Sequence, residues 1–219
     1  MPETPPEIFT LYGTQGSGSA AAEVALRVCG AQYLKVHASS WEKDSAVEEL
    51  SRVNPLKQIP TVVFPDGSVM SESAAILIQL GLLYPDTGLL PNDAAARARV
   101  LRGLVFIAAN CYSAISIGDY PERWTTDTAQ TALDAIRAGT RQQLYRHWEI
   151  FADLFDGNGE YLGGEFAGAL DYLAAVVTRW SGTRQHLQQH RPAFFATLQR
   201  IEALPTVAAV FAEHWPKKA

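Results

Sequence analysis

Cysteine and methionine are scarce in this chain, two of each in 219 residues. Cys29 and Cys111 stand far apart in apolar stretches, which leaves no disulfide framework and no CxxC metal pair. Core packing is the expected role of both. A basic excess is also missing: the net charge of −5 argues against nucleic acid or an anionic membrane as partner, since both require a basic face. His147 and His186 have no second ligand at useful spacing, so no metal is expected. No apolar run reads as long enough to span a membrane. The start, Met1-Pro2-Glu3-Thr4-Pro5-Pro6-Glu7, is acidic and proline-rich, unlike a signal or transit peptide, and a reducing cytoplasm is the expected compartment.

What is present is an ordinary globular composition, 47% hydrophobic and 19% charged, long enough for one large domain or two small ones. Residues 7–84 alternate strand and helix patterns. Ile8 to Tyr12 reads as a buried strand, Gly13 to Gly18 as a glycine-rich turn, and Ser19 as the cap of a helix running to Gly30. Glu23 falls in that helix's first turns, where the macrodipole favours an anion. A strand over Tyr33–His37 and a short helix from Ala46 to Val53 follow. The order is that of an α/β thioredoxin-like domain, expected over 1–84. Two prolines and a glycine within 85–93 read as a linker, and 94–219 reads as an all-α helical domain. Within it, 94–117 places Leu101, Leu104, Val105, Ala108, Tyr112 and Ile115 on one face. A long helix is expected from Asp127 to Phe155, with others near 169–181, 193–203 and 206–214.

The most informative stretch is Asn54-Pro55-Leu56-Lys57-Gln58-Ile59-Pro60-Thr61. Pro60 opens an apolar run and cannot donate a ladder hydrogen bond, so a strand begins there. It is a candidate for a cis bond in a tight turn, with the Ile59 amide and carbonyl left free for an extended, peptide-like ligand. Pro65-Asp66-Gly67 turns the chain, Ser68-Val69-Met70 returns as a strand, and Ser71 stands where a helix cap belongs. Bare N–H groups at that helix start suit a carboxylate, and Glu72 suits an ammonium. A backbone, a carboxylate and an amine in one small site describe a short peptide.

On these residues the chain resembles the cytosolic glutathione transferases. Their half-site for glutathione reads N-P-x-G-[KQ]-[VI]-P, then a D-G hairpin, then [ST]-[EQ]-S. Asn54, Pro55, Gln58, Ile59, Pro60, Asp66, Gly67, Glu72 and Ser73 occur in that order, and Lys57 stands where the family usually has glycine. The family also carries [ST]-x-x-D later in the chain; Gly168-Ala169-Leu170-Asp171 keeps the acid but replaces the hydroxyl, which weakens the cap by about a few tenths of a kcal/mol. The resemblance implies glutathione as co-substrate, a homodimer, and Ile59 as backbone partner of the cysteinyl unit beside Pro60. It assigns Glu72 and Ser73 to the γ-glutamyl end, and Gln58, Lys43 and Trp41 to the glycine carboxylate.

A cysteine-like thiol has a pKa of about 8.5, so only a small fraction is thiolate at neutral pH. Activation needs a hydrogen-bond donor to sulfur and a positive potential such as a helix N-terminus. The loop Gly13-Thr14-Gln15-Gly16-Ser17-Gly18-Ser19 offers both, and Ser17 matches the serine of serine-type transferases. Ser19, Thr14 and Tyr12 remain competing hydroxyls, with Tyr12 read as a packed strand residue. Where bacterial beta-type relatives place a cysteine this chain has Gly18, which disfavours a mixed disulfide. The second substrate is expected between the domains, against Asn110, Tyr112, Ser113, Ser116, Tyr120 and Trp124, whose polar groups interrupt an apolar stretch.

Other functions compete. Gly16-Ser17-Gly18-Ser19-Ala20-Ala21 fits a dinucleotide G-x-G-x-x-A, but His37-Ala38-Ser39 occupies the place of the ribose-binding acid. A transferase-like fold can also serve as a ligand-binding or interaction protein without turnover. Isomerase, peroxidase and disulfide reductase chemistry use the same thiolate.

Overall fold

The computed structural model describes residues 7–42, 44–157 and 159–216. The chain divides into two compact units: one runs to Asn92 and takes up the chain again from Glu202, and the other spans Asp93–Ile201.

In the first unit, β1 (Ile8–Gly13) and β2 (Gln32–His37) pair in parallel across α1 (Ser19–Val28). After α2 (Val47–Val53), β3 (Thr61–Val63) and β4 (Val69–Ser71) form a hairpin that pairs antiparallel with β1, giving the order β2-β1-β3-β4, and α3 (Ser73–Leu83) follows. This is the thioredoxin-like arrangement expected from the sequence. Leu11, Leu26, Val62, Ile76, Leu77 and Leu80 are buried between sheet and helices. On the opposite face Tyr12, Ala38 and Leu50 pack with Val36, Val53, Ile59 and Val63. The 85–93 segment is more than a tether, because Leu89 and Leu90 are buried and a Cβ on Gly81 would lie 2.5 Å from Leu90 Cγ.

One domain expectation needs correcting. The sequence pattern puts all of 94–219 in the helical domain, yet the last helix, α10 (Pro205–His214), packs against α1. Its anchor is Glu23, which lies beyond the first turn of α1 and is fully buried. The Glu23 carboxylate accepts from Arg27 at 2.7 Å, Tyr33 at 2.9 Å, Lys35 at 2.9 Å and His214 at 2.9 Å. Glu213 adds contacts to Arg27 and Lys35 at 2.7 and 3.2 Å. Burial opposes the charge on Glu23, but the hydrogen bonds outweigh it and bring the pKa down to about 2.

The second unit is all-helical: α4 (Ala94–Phe106), a π-helical turn (Ile107–Tyr112), α5 (Ser113–Asp119), α6 (Gln130–Phe155), α7 (Ala169–Val177), α8 (Thr183–His190) and α9, which begins at Pro192. Its core is aromatic, with Phe151 meeting Trp148, Phe155 and Phe194 at ring separations of 5.1, 4.7 and 5.7 Å. The buried face of α4 and α5 is Val100, Gly103, Leu104, Ile107, Cys111, Ala114 and Ile115. Val105, expected on the inner stripe, is exposed instead, because Gly103 is the close-contact position: a Cβ there would lie 2.7 Å from Leu170. By length and composition alone Ala94–Asp119, with mean hydropathy 1.6, is apolar enough for a membrane span, contrary to the expectation from apolar runs. Here its buried side chains belong to a helical core. Asp171 is fully buried and accepts from the Leu162 and Gly168 amides at 2.8 and 2.9 Å, while burial pushes its carboxyl up to about 6.

Candidate active site

Four strand ends meet at one edge of the sheet. The register pairs Gly13 with His37, Tyr12 with Thr61, and Thr61 with Ser71. The loop after β1, the end of β2, the Ile59–Pro60 turn and the start of α3 are therefore neighbours. The Ile59–Pro60 peptide bond is cis, as the sequence suggested. Asn54 builds this turn: its Nδ2 donates to the Gln58 carbonyl at 3.1 Å and to Thr61 Oγ1 at 2.9 Å, and its Oδ1 accepts from the Leu56 amide. Lys57 adopts φ +53°, the left-handed region that explains the family's preference for glycine there. Among the described residues the Ile59 amide and carbonyl have no main-chain partner.

At α3 the cap differs from expectation. Ser71 ends β4, and Glu72 occupies the cap position with φ +66° and no side-chain capping bond. The Glu72 carbonyl accepts from Ile76, whereas the amides of Ser73, Ala74 and Ala75 find no protein acceptor among the described residues. Such a helix start attracts an anion. Glu72 is exposed and Ser73 is buried. Of the expected glycine-end residues, Gln58 and Trp41 are exposed, and Lys43 lies outside the described residues. The Gln58 carbonyl is already held by Asn54 and Thr61, which leaves its amide side chain as the group that can reach out.

In the loop after β1, Gly18 is the N-cap and Ser19 the first helical residue, so Ser19 is not the expected cap. Its hydroxyl donates to the Thr14 carbonyl at 3.2 Å and lies 2.8 Å from the Ser17 hydroxyl. Close approach makes this possible, since a Cβ on Gly13 would sit 2.4 Å from Ser19 Cβ and Oγ. The Ser17 hydroxyl, buried at the mouth of α1, donates to the Thr14 carbonyl at 2.8 Å and accepts from the Ser19 amide at 3.2 Å. Because Ser19 can occupy the same carbonyl, the Ser17 hydrogen can turn to another acceptor without leaving Thr14 bare. Tyr12 is otherwise engaged: its hydroxyl donates to Glu49 Oε1 at 2.7 Å, and burial together with that carboxylate raises its pKa to about 12. The packed-strand reading of Tyr12 holds.

The six residues expected to face a second substrate sit on and after the π-helical turn. Asn110 Nδ2 donates to the Phe106 carbonyl at 3.1 Å, and the Ser113 hydroxyl to that of Ala109. Both side chains thus serve their own helix. Tyr112 packs on Trp180 at 5.7 Å between ring centroids, Arg123 lies 4.0 Å over the Tyr120 ring, and Ser116 and Trp124 are exposed. A π turn re-aims side chains within a helix and often marks a functional position.

Sequence reasoning missed one cluster beside the Ser17 loop. Thr14 Oγ1 is 3.2 Å from His37 Nδ1 and 3.3 Å from Glu42 Oε1, and His37 Nε2 is 2.6 Å from Glu42 Oε2. The available signal was the parallel pairing itself, which puts the residue after β1 beside the end of β2.

Comparison with known proteins agrees with this geometry. The family model for the glutathione S-transferase N-terminal domain matches residues 19–81. The chain is similar to the uncharacterized GST-like protein YncG of Escherichia coli strain K12, 27% identical over 93% of this chain and 97% of that one. It is also similar to glutathione S-transferase GstA of Escherichia coli O157:H7, 25% identical over 90% of this chain and 94% of that one. A crystal structure of a glutathione transferase homolog from Sulfitobacter, with bound glutathione, superposes with a TM-score of 0.81 at 22% identity, covering 94% of this chain and 98% of that one. Strand order and these similarities agree: residues 19–81 match the glutathione S-transferase N-terminal domain, and the chain as a whole has the fold of the glutathione transferases it resembles.

Proposed function

We propose that the protein is a glutathione transferase that activates the glutathione thiol for attack on a small hydrophobic electrophile. The observation that carries this reading is the meeting, at one sheet edge, of an unpaired Ile59 main chain, the bare first turn of α3 and a redirectable Ser17 hydroxyl. The cysteinyl main chain of glutathione would pair with Ile59 in the manner of strand addition. Its γ-glutamyl carboxylate would sit on Ser73 and the first-turn amides of α3, its ammonium on Glu72, and its glycine end near Gln58, Trp41 and Lys43. Ser17 would donate to the sulfur at the N-terminus of α1, where the helix dipole also favours the thiolate. The electrophile would meet Asn110, Tyr112, Ser113, Ser116, Tyr120 and Trp124. Similarity to the glutathione transferases supports a homodimer working in the cytoplasm.

Titration calorimetry with glutathione tests the binding half. Glu72→Gln removes a charged acceptor worth about 1.5–3 kcal/mol, so affinity is expected to drop roughly 10- to 100-fold. Unchanged affinity contradicts the assignment. A panel of halides, enones, epoxides and peroxides, assayed with glutathione, reads out the reaction class. One observation favours a second reading, binding without turnover: the Ser17 hydroxyl is closed onto Thr14 and Ser19. That reading predicts glutathione binding with no turnover of any electrophile and no effect of Ser17→Ala.

A further inference from the structure

We propose that Thr14, His37 and Glu42 form a proton relay, in which the proton leaving the glutathione thiol passes through the Thr14 hydroxyl to His37. This rests on the glutathione-activating reading of the site and adds to it the destination of the proton, since Ser17 can donate to a thiolate but is no base.

Placement comes first. Gly13 and His37 are register partners at the ends of β1 and β2, and the Ala38 amide extends the pairing to the Gly13 carbonyl at 3.0 Å. Thr14 therefore emerges directly beside the imidazole. It links two groups: its carbonyl accepts the Ser17 hydroxyl at 2.8 Å, and its own hydroxyl lies 3.2 Å from His37 Nδ1. A carboxylate can only accept, so the 2.6 Å contact from Glu42 Oε2 places a hydrogen on His37 Nε2. In the neutral ring Nδ1 is then the bare acceptor, facing Thr14.

The same atoms also suit the protonated ring. In that state Nδ1–H donates to Thr14 Oγ1, and the Thr14 hydrogen turns to Glu42 Oε1 at 3.3 Å. Switching between the two states turns the Thr14 hydrogen from Nδ1 to Glu42 Oε1 and needs no heavy-atom movement. Other charged or titratable groups near this face are engaged elsewhere: Lys35 is held by Glu23 and Glu213, and Tyr12 by Glu49. Among the described residues Glu42 is the carboxyl group in contact with His37.

The step balances. The S–H bond breaks and sulfur keeps the electron pair. The Thr14 oxygen takes the proton while passing its own hydrogen to Nδ1, leaving a thiolate, an intact threonine and an imidazolium beside Glu42. In this relay Thr14 would receive the proton from the thiol, and His37 and Glu42 act through it as positioning residues.

The test is a proton count. The full-length protein is titrated with glutathione near neutral pH in dilute buffer; protons released are read with an indicator dye, and thiolate is read by its ultraviolet absorbance. Wild type is expected to release well under one proton per thiolate, and His37→Gln roughly one. Thr14→Ser should behave as wild type and Thr14→Val as His37→Gln. If His37→Gln does not fold, Glu42→Gln, which keeps the shape and removes the charge, should still raise the ratio. Full proton release by wild type, or a ratio unmoved by the variants, overturns the relay alone. A wild-type protein that binds no glutathione removes the activating reading itself, and the relay with it.

Discussion

Replacing Glu23 by glutamine isolates the contact that joins α10 to α1. The carboxylate is fully buried and carries four donors, and its pKa of about 2 compares with 4.5 when unperturbed. At about 1.4 kcal/mol per pKa unit, the charge contributes roughly 3 kcal/mol at neutral pH. The folded pKa is depressed, so this contribution is fully present above pH 4.5 and is lost as pH falls from there toward 2. Glutamine leaves Glu213 as the one carboxylate on Arg27 and Lys35 among the described residues and deprives His214 of its charged partner. Glu23→Gln should therefore destabilise the first unit by about 3 kcal/mol at neutral pH, with a melting midpoint lower by about 6–12 °C. Urea melts of both proteins at neutral pH and near pH 3 measure the difference, which should shrink in acid. The α10 amides should also lose hydrogen-exchange protection first. The loop bearing Ser17 should feel the change, since a Cβ on Gly16 would lie 3.5 Å from Trp215 Nε1 and 3.8 Å from the His214 carbonyl. A difference under about 1 kcal/mol, or one indifferent to pH, would refute this account of the carboxylate.

Three further substitutions probe the scaffold. Gly13→Ala drives a methyl into Ser19 and should cost about 1–3 kcal/mol while displacing the Ser17 loop, seen as a lower urea midpoint together with weaker glutathione binding. Lys57→Gly relieves a left-handed backbone at the loss of one exposed 3.5 Å ion pair, and should stabilise the fold by up to about 1 kcal/mol, read as a higher urea midpoint. Asp171→Ala strands the Leu162 and Gly168 amides, and should destabilise the helical unit by about 3 kcal/mol in the same assay.

Legibility followed sequence distance. The turn from Asn54 to Pro60, the Asp66-Gly67 hairpin and the start of α3 lie within twenty residues, and proline, Asx and helix-start chemistry act locally, so that half of the site could be read directly. Glu23 and His214 are 191 positions apart, and no local pattern announces their bond. α8 escaped because Thr183–His190 buries little apolar surface beyond Leu187. The phase of α4 and α5 was misread because glycine supplies the contact at 103 and a π turn shifts the face after Phe106. Ser19 carries the residue type of a cap, yet its neighbour Gly13 lets it turn inward to the Thr14 carbonyl. Locally His37 reads only as the wrong residue for a ribose, because its partners come from two other loops.

Titrating the ultraviolet absorbance of glutathione bound to wild type and to Ser17→Ala across pH tests the central claim most directly. One hydrogen bond to a charged acceptor is worth about 1.5–3 kcal/mol, so the thiol should ionise well below its ordinary value of about 8.5 in wild type and about one to two pH units higher in the variant. Coincident curves at the value of free glutathione, or no bound glutathione to titrate, would contradict it.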